Sequence, residues 1–450
     1  MTSIADAGAP PLRATPHSIS AAAGWYGLGM LVTATVFASV VRQILVLVTE
    51  PLKKSLDLSD TQIGLVHGIA LSLVAMLATL PFGWLADRMD RRRLLAVCIL
   101  VWSAFTAACG ASQGFWMLFG CSMGIAIAEA VLGPISYSMI ADLFPRERWM
   151  QANYVYFVTG ILGGAAGMAF SGGLIGFVES HHAALPGMLA STDSWRVSLY
   201  AAAVPGVAIA LGVALIRRTR SAGPTAAQQA EGLGPYLRQH LRTFIGVFLG
   251  FGLVASAMGA VGSWLPVVAV REFGETPAST GLKFGLVMAV GAVAGVALSW
   301  LLARWMRARV GQLAALKVAQ IGGLLAALTL PAYLAISTST GLFVVAGVQS
   351  ALNFAALSLS PTVLQLIAPG HIRGRVIAIG GLALIALQSL GPVAVGAVSD
   401  ALGNDPHSLL LATIIVGLPA YLVGLLFLRF AEPTMLGTFA AVERAEAALQ

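Results

Sequence analysis

Charge is what this 450-residue sequence has least of. Asp, Glu, Lys and Arg together make up 10% of it, against 58% hydrophobic residues. A soluble domain carries about 25% charged residues because its surface must face water. So few charges cannot cover such a surface, and lipid is therefore the solvent. Cysteine is scarce as well. Cys98, Cys109 and Cys121 are odd in number, lie in apolar stretches and lack metal-ligand spacing, so they read as small buried hydrophobes rather than a disulfide framework or metal site. No Walker sequence, HExxH, GxSxG or CxxC occurs, and the loops are too short to gather a titratable cluster. Enzymatic activity, a metal and a cofactor are accordingly not expected. The first twenty residues lack the apolar core of a signal peptide, and 1–21 read as a disordered cytoplasmic lead. The net charge of +7 is dispersed in short clusters between apolar runs, which is the layout of membrane topology determinants and not of a nucleic-acid surface.

What is present is a series of long apolar runs. A membrane span needs about 20 mainly apolar residues. Runs of that kind lie near 22–48, 61–86, 94–112, 115–141, 150–178 and 196–216, and again near 243–270, 280–303, 310–336, 341–368, 374–399 and 408–428. Small residues let helices in lipid approach closely, as the spacing of Gly160, Gly163, Gly164 and Gly167 illustrates. Arginine clusters at 88–93, 217–242 and 304–309 fall on one side of the membrane. The other side has only Lys53, Lys54, Arg196, Arg271 and Lys283. This asymmetry predicts that both termini are cytoplasmic.

The longest connection on the arginine-rich side, TRSAGPTAAQQAEGLGP, has linker composition and follows the sixth run. The chain divides into an N-terminal six-helix bundle (22–217), a linker (218–242), a C-terminal six-helix bundle (243–429) and a cytoplasmic tail (430–450). The halves resemble each other: WLADRMDRRR (84–93) corresponds to WLLARWMRAR (300–309), and DLFPRER (142–148) to LIAPGHIRGR (366–375). Two six-span repeats with a site between them near the midplane are a transporter plan. The expected fold is an all-α integral membrane protein of twelve transmembrane helices, its two bundles related by a pseudo-two-fold axis.

GWLADRMDRRR (83–93) resembles the signature of the major facilitator superfamily, carried here by Gly83, Asp87, Arg88, Arg91, Arg92 and Arg93. Gly83 permits close helix approach. Asp87 sits where it can form a charge-assisted latch across the bundle, opening and closing with conformation. The second-half copy has Ala303 in place of Asp87. Residues 41–68, 128–148, 361–376 and 390–400 are similar to the spinster-like branch of that superfamily. The resemblance implies a lipid-like substrate, such as a lysophospholipid or sphingosine phosphate, moved with help from protons. Val41 and Ser122 stand where that branch has an Asp and an Arg, which bears directly on proton coupling.

Two charges remain within the spans, Arg42 in the first and Glu129 in the fourth. A charge near the bilayer centre costs at least about 2.5–3.5 kcal/mol unless paired or hydrated, so both are expected to face inward. Arg42 is a candidate anchor for an anionic headgroup, because its planar fork matches phosphate or carboxylate. Glu129 is the candidate counter-ion and proton carrier. Tyr154, Trp264 and Asn353 complete the candidate substrate-binding residues. Asn153, Tyr156 and Gln388 are weaker signals, His67 reads as structural, and Lys317 as snorkelling to the membrane edge. Three functions remain open: transport of a lipid-like amphiphile, transport of a small organic anion such as a sugar acid, and a receptor-like protein that does not transport. Its expected partners are the bilayer, the amphiphilic or anionic substrate and protons, and the working unit is a monomer.

Overall fold

The computed structural model describes residues 20–217, 233–370, 372–403 and 407–447. Residues 1–19 and 218–232, where the disordered lead and most of the linker are expected, lie outside the described residues, as do the side chains of Gly83, Trp84 and Asp87. No strand occurs among the described residues. Eleven helical stretches are long and apolar enough to span a membrane. One of them, Pro277–Ala335, has 59 residues and folds back at Gly311, whose φ of 57° a side-chain-bearing residue rarely adopts. It contributes two crossings, giving twelve in all.

The helices are α1 (Ala21–Leu47), α2 (60–88), α3 (Arg91–Gly110), α4 (Phe115–Leu143), α5 (Arg146–His181), α6 (Ser194–Ala214), α7 (Leu241–Arg271), α8 (Pro277–Val310), α9 (Ala314–Thr329), α10 (Ser339–Leu366), α11 (Arg373–Leu402) and α12 (Ser408–Ala447). Sequence explains their bends. A proline ring removes the bond to the carbonyl four residues earlier. Accordingly α4 breaks at Ala130–Val131 before Pro134, α6 at Val204 before Pro205, and α11 at Ser389 before Pro392. In α2, residues Val66–Leu73 form a π-helical stretch. Helix α12 does not stop at 429. It continues to Ala447, with Met435 and Phe439 packed in a cluster with Phe244 and Leu316, so most of the expected tail is part of the C-terminal bundle.

The halves meet along two seams of small residues. A Cβ on Gly172 of α5 would lie 2.8 Å from Gly281 of α8, and one on Gly285 of α8 would lie 2.8 Å from Ala165. Between α2 and α11, Cβ atoms on Gly64, Gly68 and Gly396 would lie 2.5, 2.1 and 2.2 Å from the carbonyl oxygens of Pro392, Ser389 and Asp60. Backbone therefore lies on backbone, and only glycine fits. Both seams run toward the end of the molecule that carries the 48–59 connection, with its short helix Thr49–Leu56, and the 272–276 loop.

Candidate functional site

Helix α1 turns Arg42 toward Glu129, the last residue of α4 before its proline-induced break. Arg42 Nη2 donates to Glu129 Oε2 at 3.1 Å, and the side chains are 36% and 18% exposed. The two in-span charges are thus brought together, with solvent access instead of enclosure. One of the five guanidinium N–H groups is used in this bond. Next to the pair, Gln43 Nε2 donates to the Gly164 carbonyl of α5 at 3.5 Å. Val41 and Ser122 are both buried inside the N-terminal bundle, where Ser122 Oγ lies 3.8 Å from Cys109 Sγ. A charge at either place would need its own partner.

The C-terminal half answers with neutral groups. Tyr421 donates to Asn353 Oδ1 at 2.5 Å, and Tyr333 donates to Gln349 Oε1 at 2.7 Å, all four buried. Asn353 borders a small cavity between the halves. Trp264 does not line it. Its ring is fully buried between α7 and α11, and its indole N–H donates to the Pro392 carbonyl at 3.0 Å, so its polar atom is committed to helix packing. Tyr154 is 68% exposed and lies on the helix stripe that leads, four turns on, to Met168 at that cavity. Tyr156 instead turns inward and accepts from Thr35 at 3.1 Å. His67 is buried with Nε2 3.1 Å from Thr49 Oγ1. Lys317 is not a free snorkelling cation, for it pairs with Glu432 of α12 at 2.7 Å.

In the 83–93 segment, Arg91 and Arg92 make bonds within their own half. Arg91 Nη1 bonds Asp142 Oδ2 at 3.0 Å, tying α3 to the end of α4. Arg92 bonds Asp90 at 3.2 Å and the Ile216 carbonyl beyond α6 at 2.9 Å. Arg88 is exposed at the end of α2. The expected latch through Asp87 falls on a side chain outside the description.

A latch between the halves is formed at the opposite end, by residues that sequence reasoning missed. Arg271, the last residue of α7, donates through Nη2 to Glu50 at 2.6 Å and to Asp60 Oδ1 at 2.9 Å, and through Nη1 to Asp60 Oδ2 at 2.9 Å. Lys53 and Ser399 also bond Asp60, at 2.5 and 2.7 Å. From α11, Asp400 accepts the first backbone N–H groups of α2, those of Asp60 and Thr61, at 2.9 and 2.8 Å. A carboxylate of one half thus caps a helix of the other, where it also meets the positive end of the helix dipole. Nearby, Lys283 and Ser279 hold the Glu275 carboxyl below the usual carboxylate range, whereas burial pushes that of Glu272 up despite its His407 partner. The available signal was three acids, Glu50, Asp60 and Asp400, near span ends on the side poor in basic residues.

Comparison with known proteins completes the picture. The sequence pattern of the Major Facilitator Superfamily matches residues 31–330. The chain belongs to that superfamily. In structure it is similar to a bacterial homologue of the human lysosomal transporter Spinster in an inward-facing, unoccupied conformation, with a TM-score of 0.74, 21% identity, and 94% of this chain and 98% of that one covered. Among curated proteins it is 26% identical over 273 residues to an MFS-type efflux pump of Mycolicibacterium smegmatis, and 26% identical over 275 residues to human spinster homolog 1. These matches take in 60% and 56% of this chain but only 59% and 49% of those proteins. A probable L-galactonate transporter of Escherichia coli is 26% identical over 388 residues, 81% of this chain and 80% of that one. The twelve-helix fold and the spinster-like resemblance expected from the sequence are both borne out.

Proposed function

We propose that this protein is a secondary active transporter that works by alternating access on an anionic amphiphile of lysophospholipid or sphingosine-phosphate type, with protons as the coupling ion. The observation that carries the reading is the solvent-accessible Arg42–Glu129 pair inside the spans. Charges at membrane depth mark substrate and ion pathways. A phosphate that takes the Arg42 fork competes with Glu129, and a carboxylate that loses its cation gains affinity for a proton. Substrate binding and proton uptake are then linked through one ion pair, without the acid that Val41 replaces. With the arginine-rich end in the cytoplasm of a cell in whose inner or plasma membrane the protein sits, the latched end faces outward and the conformation is inward-facing.

The length of the L-galactonate transporter match favours a second reading, a sugar acid held through its carboxylate on Arg42. A sugar acid needs a ring of hydrogen-bonding side chains around that anchor, and the space beyond Gln43 offers Gln349, Ser350 and Asn353 on one helix only, its other lining residues being apolar. Flux into proteoliposomes decides between them. Lysophospholipid uptake that depends on a proton gradient supports the first reading, and uptake of sugar acids alone supports the second. If neither class crosses, and neither raises the melting temperature, transport is the wrong function.

A further inference from the structure

A cavity of about 80 Å³ lies in the C-terminal half where Met168 of α5 closes it against the seam. Met168 of α5, Met258 of α7, Phe284 and Met288 of α8, and Gln349 and Asn353 of α10 line it. It adjoins the Arg42 site: a Cβ on Gly164 would lie 4.0 Å from both Gln43 Nε2 and Met288 Cε. Its walls are apolar except on α10, which contributes Gln349, Ser350 and Asn353. Gln349 is 1% exposed, and its Oε1 accepts from Tyr333, but its Nε2 has no partner in bonding geometry. The neighbouring Tyr421 hydroxyl donates to Asn353, and its oxygen lies beside Gln349 without closing a bond of good geometry. An N–H whose bond to its neighbour is poor is under-satisfied, so a ligand oxygen there gains part of what an unmet buried donor costs, about 1–3 kcal/mol. On its far side, Val287 borders both this cavity and an apolar groove on the outer face between α8 and α10.

We infer that this cavity is the tail subsite of the substrate, taking the first apolar segment beyond the headgroup, with Gln349 Nε2 donating to an ester or ether oxygen in it. The inference rests on the reading of Arg42 as headgroup anchor. The volume is about half that of an engineered 150 Å³ cavity that admits benzene, so a few carbons fit as the walls stand. The three methionines, unbranched and adaptable, allow a longer chain to widen it. A sugar acid, with hydroxyls on every carbon, would strand its own hydrogen bonds against these walls.

Calorimetry on the purified full chain tests this with methyl phosphate, a series of n-alkyl phosphates up to dodecyl, lauroyl lysophosphatidic acid, and neutral dodecylglycerol. Affinity should rise about fourfold per methylene over the first few carbons and then level. Met288→Trp, which fills the cavity, should abolish that rise and leave methyl phosphate binding unchanged, whereas Met288→Leu should preserve it. Gln349→Leu should remove a preference of about tenfold for the ester-bearing lysolipid over dodecyl phosphate. Tail-independent binding by the unmodified chain overturns the subsite, as does equal weakening of methyl and dodecyl phosphate by Met288→Trp. The headgroup reading fails separately, if Arg42→Met leaves phosphate binding intact. In that event, loss of dodecylglycerol binding in Met288→Trp still supports the tail subsite, and its retention overturns it.

Discussion

Arg42 and Glu129 are each other's partner, and truncating one leaves the other with a diminished counter-charge. A fully buried pair would lose about 3–5 kcal/mol on such a change, but surface pairs are worth at most about 1 kcal/mol. With Arg42 one-third exposed, the lower figure applies. Arg42→Ala is therefore expected to fold, with a melting temperature a few degrees lower at most, and to lose recognition of anionic headgroups. Retained affinity for lysophospholipids would remove Arg42 from the site. Glu129→Gln should keep binding and lose the pH dependence of uptake, and an unchanged pH profile would show that the proton travels elsewhere. Glu275 gives a different pH signature. Its lowered pKa contributes stability above the ordinary carboxylate range, and that contribution is lost as pH falls through the lowered value. Melting curves of Glu275→Gln and the unmodified protein should differ slightly at pH 7 and converge on acidification.

At the scale of elements, the two latched helix ends and the glycine seams act together. Arg271 is 14% exposed and Asp60 2%, so here the cost of removing one partner approaches the buried figure, about 3–5 kcal/mol. Arg271→Met should move the conformational equilibrium a hundredfold or more away from the closed end, on the basis of about 1.4 kcal/mol per tenfold. Gly396→Val should do the same by wedging α11 off Asp60. Single cysteines at Ser59 and Thr276, in a background lacking Cys98, Cys109 and Cys121, read this out. Faster reaction with a membrane-impermeant thiol reagent is expected in both variants, and unchanged rates would mean that the network does not hold the halves. The helices themselves were legible from hydropathy, and their prolines announced the bends. The latch was not, because its members lie in different spans and become neighbours only when two bundles close. Trp264 misled for a related reason. An aromatic with a polar tip suits a pathway and a helix crossing equally well, and only packing against Pro392 decides between them.

For the whole molecule, the proposed orientation puts the arginine-rich end on the cytoplasmic side. A reporter enzyme that is active only outside the cytoplasm should be silent when fused after Arg444 and active when inserted after Gly274, and the reverse pattern would invert the assigned direction. Lipid as solvent, six-plus-six division and repeated loops were all readable from the sequence, because each is written in composition or spacing. The meeting of Arg42 and Glu129 was anticipated from the superfamily plan, since both stand in cavity-lining helices. The neutral set of Tyr333, Gln349, Asn353 and Tyr421 was only glimpsed through Asn353. Uncharged side chains in a span look alike until their partners are known.

The π-helical stretch in α2 has a mechanical consequence. A π turn carries one residue more per closed ring than an α turn. Converting it to α-helix would therefore swing everything below it by about 100° relative to everything above. Above it, α2 offers Asp60 to Arg271, and below it the chain leads to the Arg91 corner. Val66–Leu73 is thus a torsional coupling within a single rod. Winding or unwinding it would rotate the Asp60 latch relative to the Arg91–Asp142 tie at the other end.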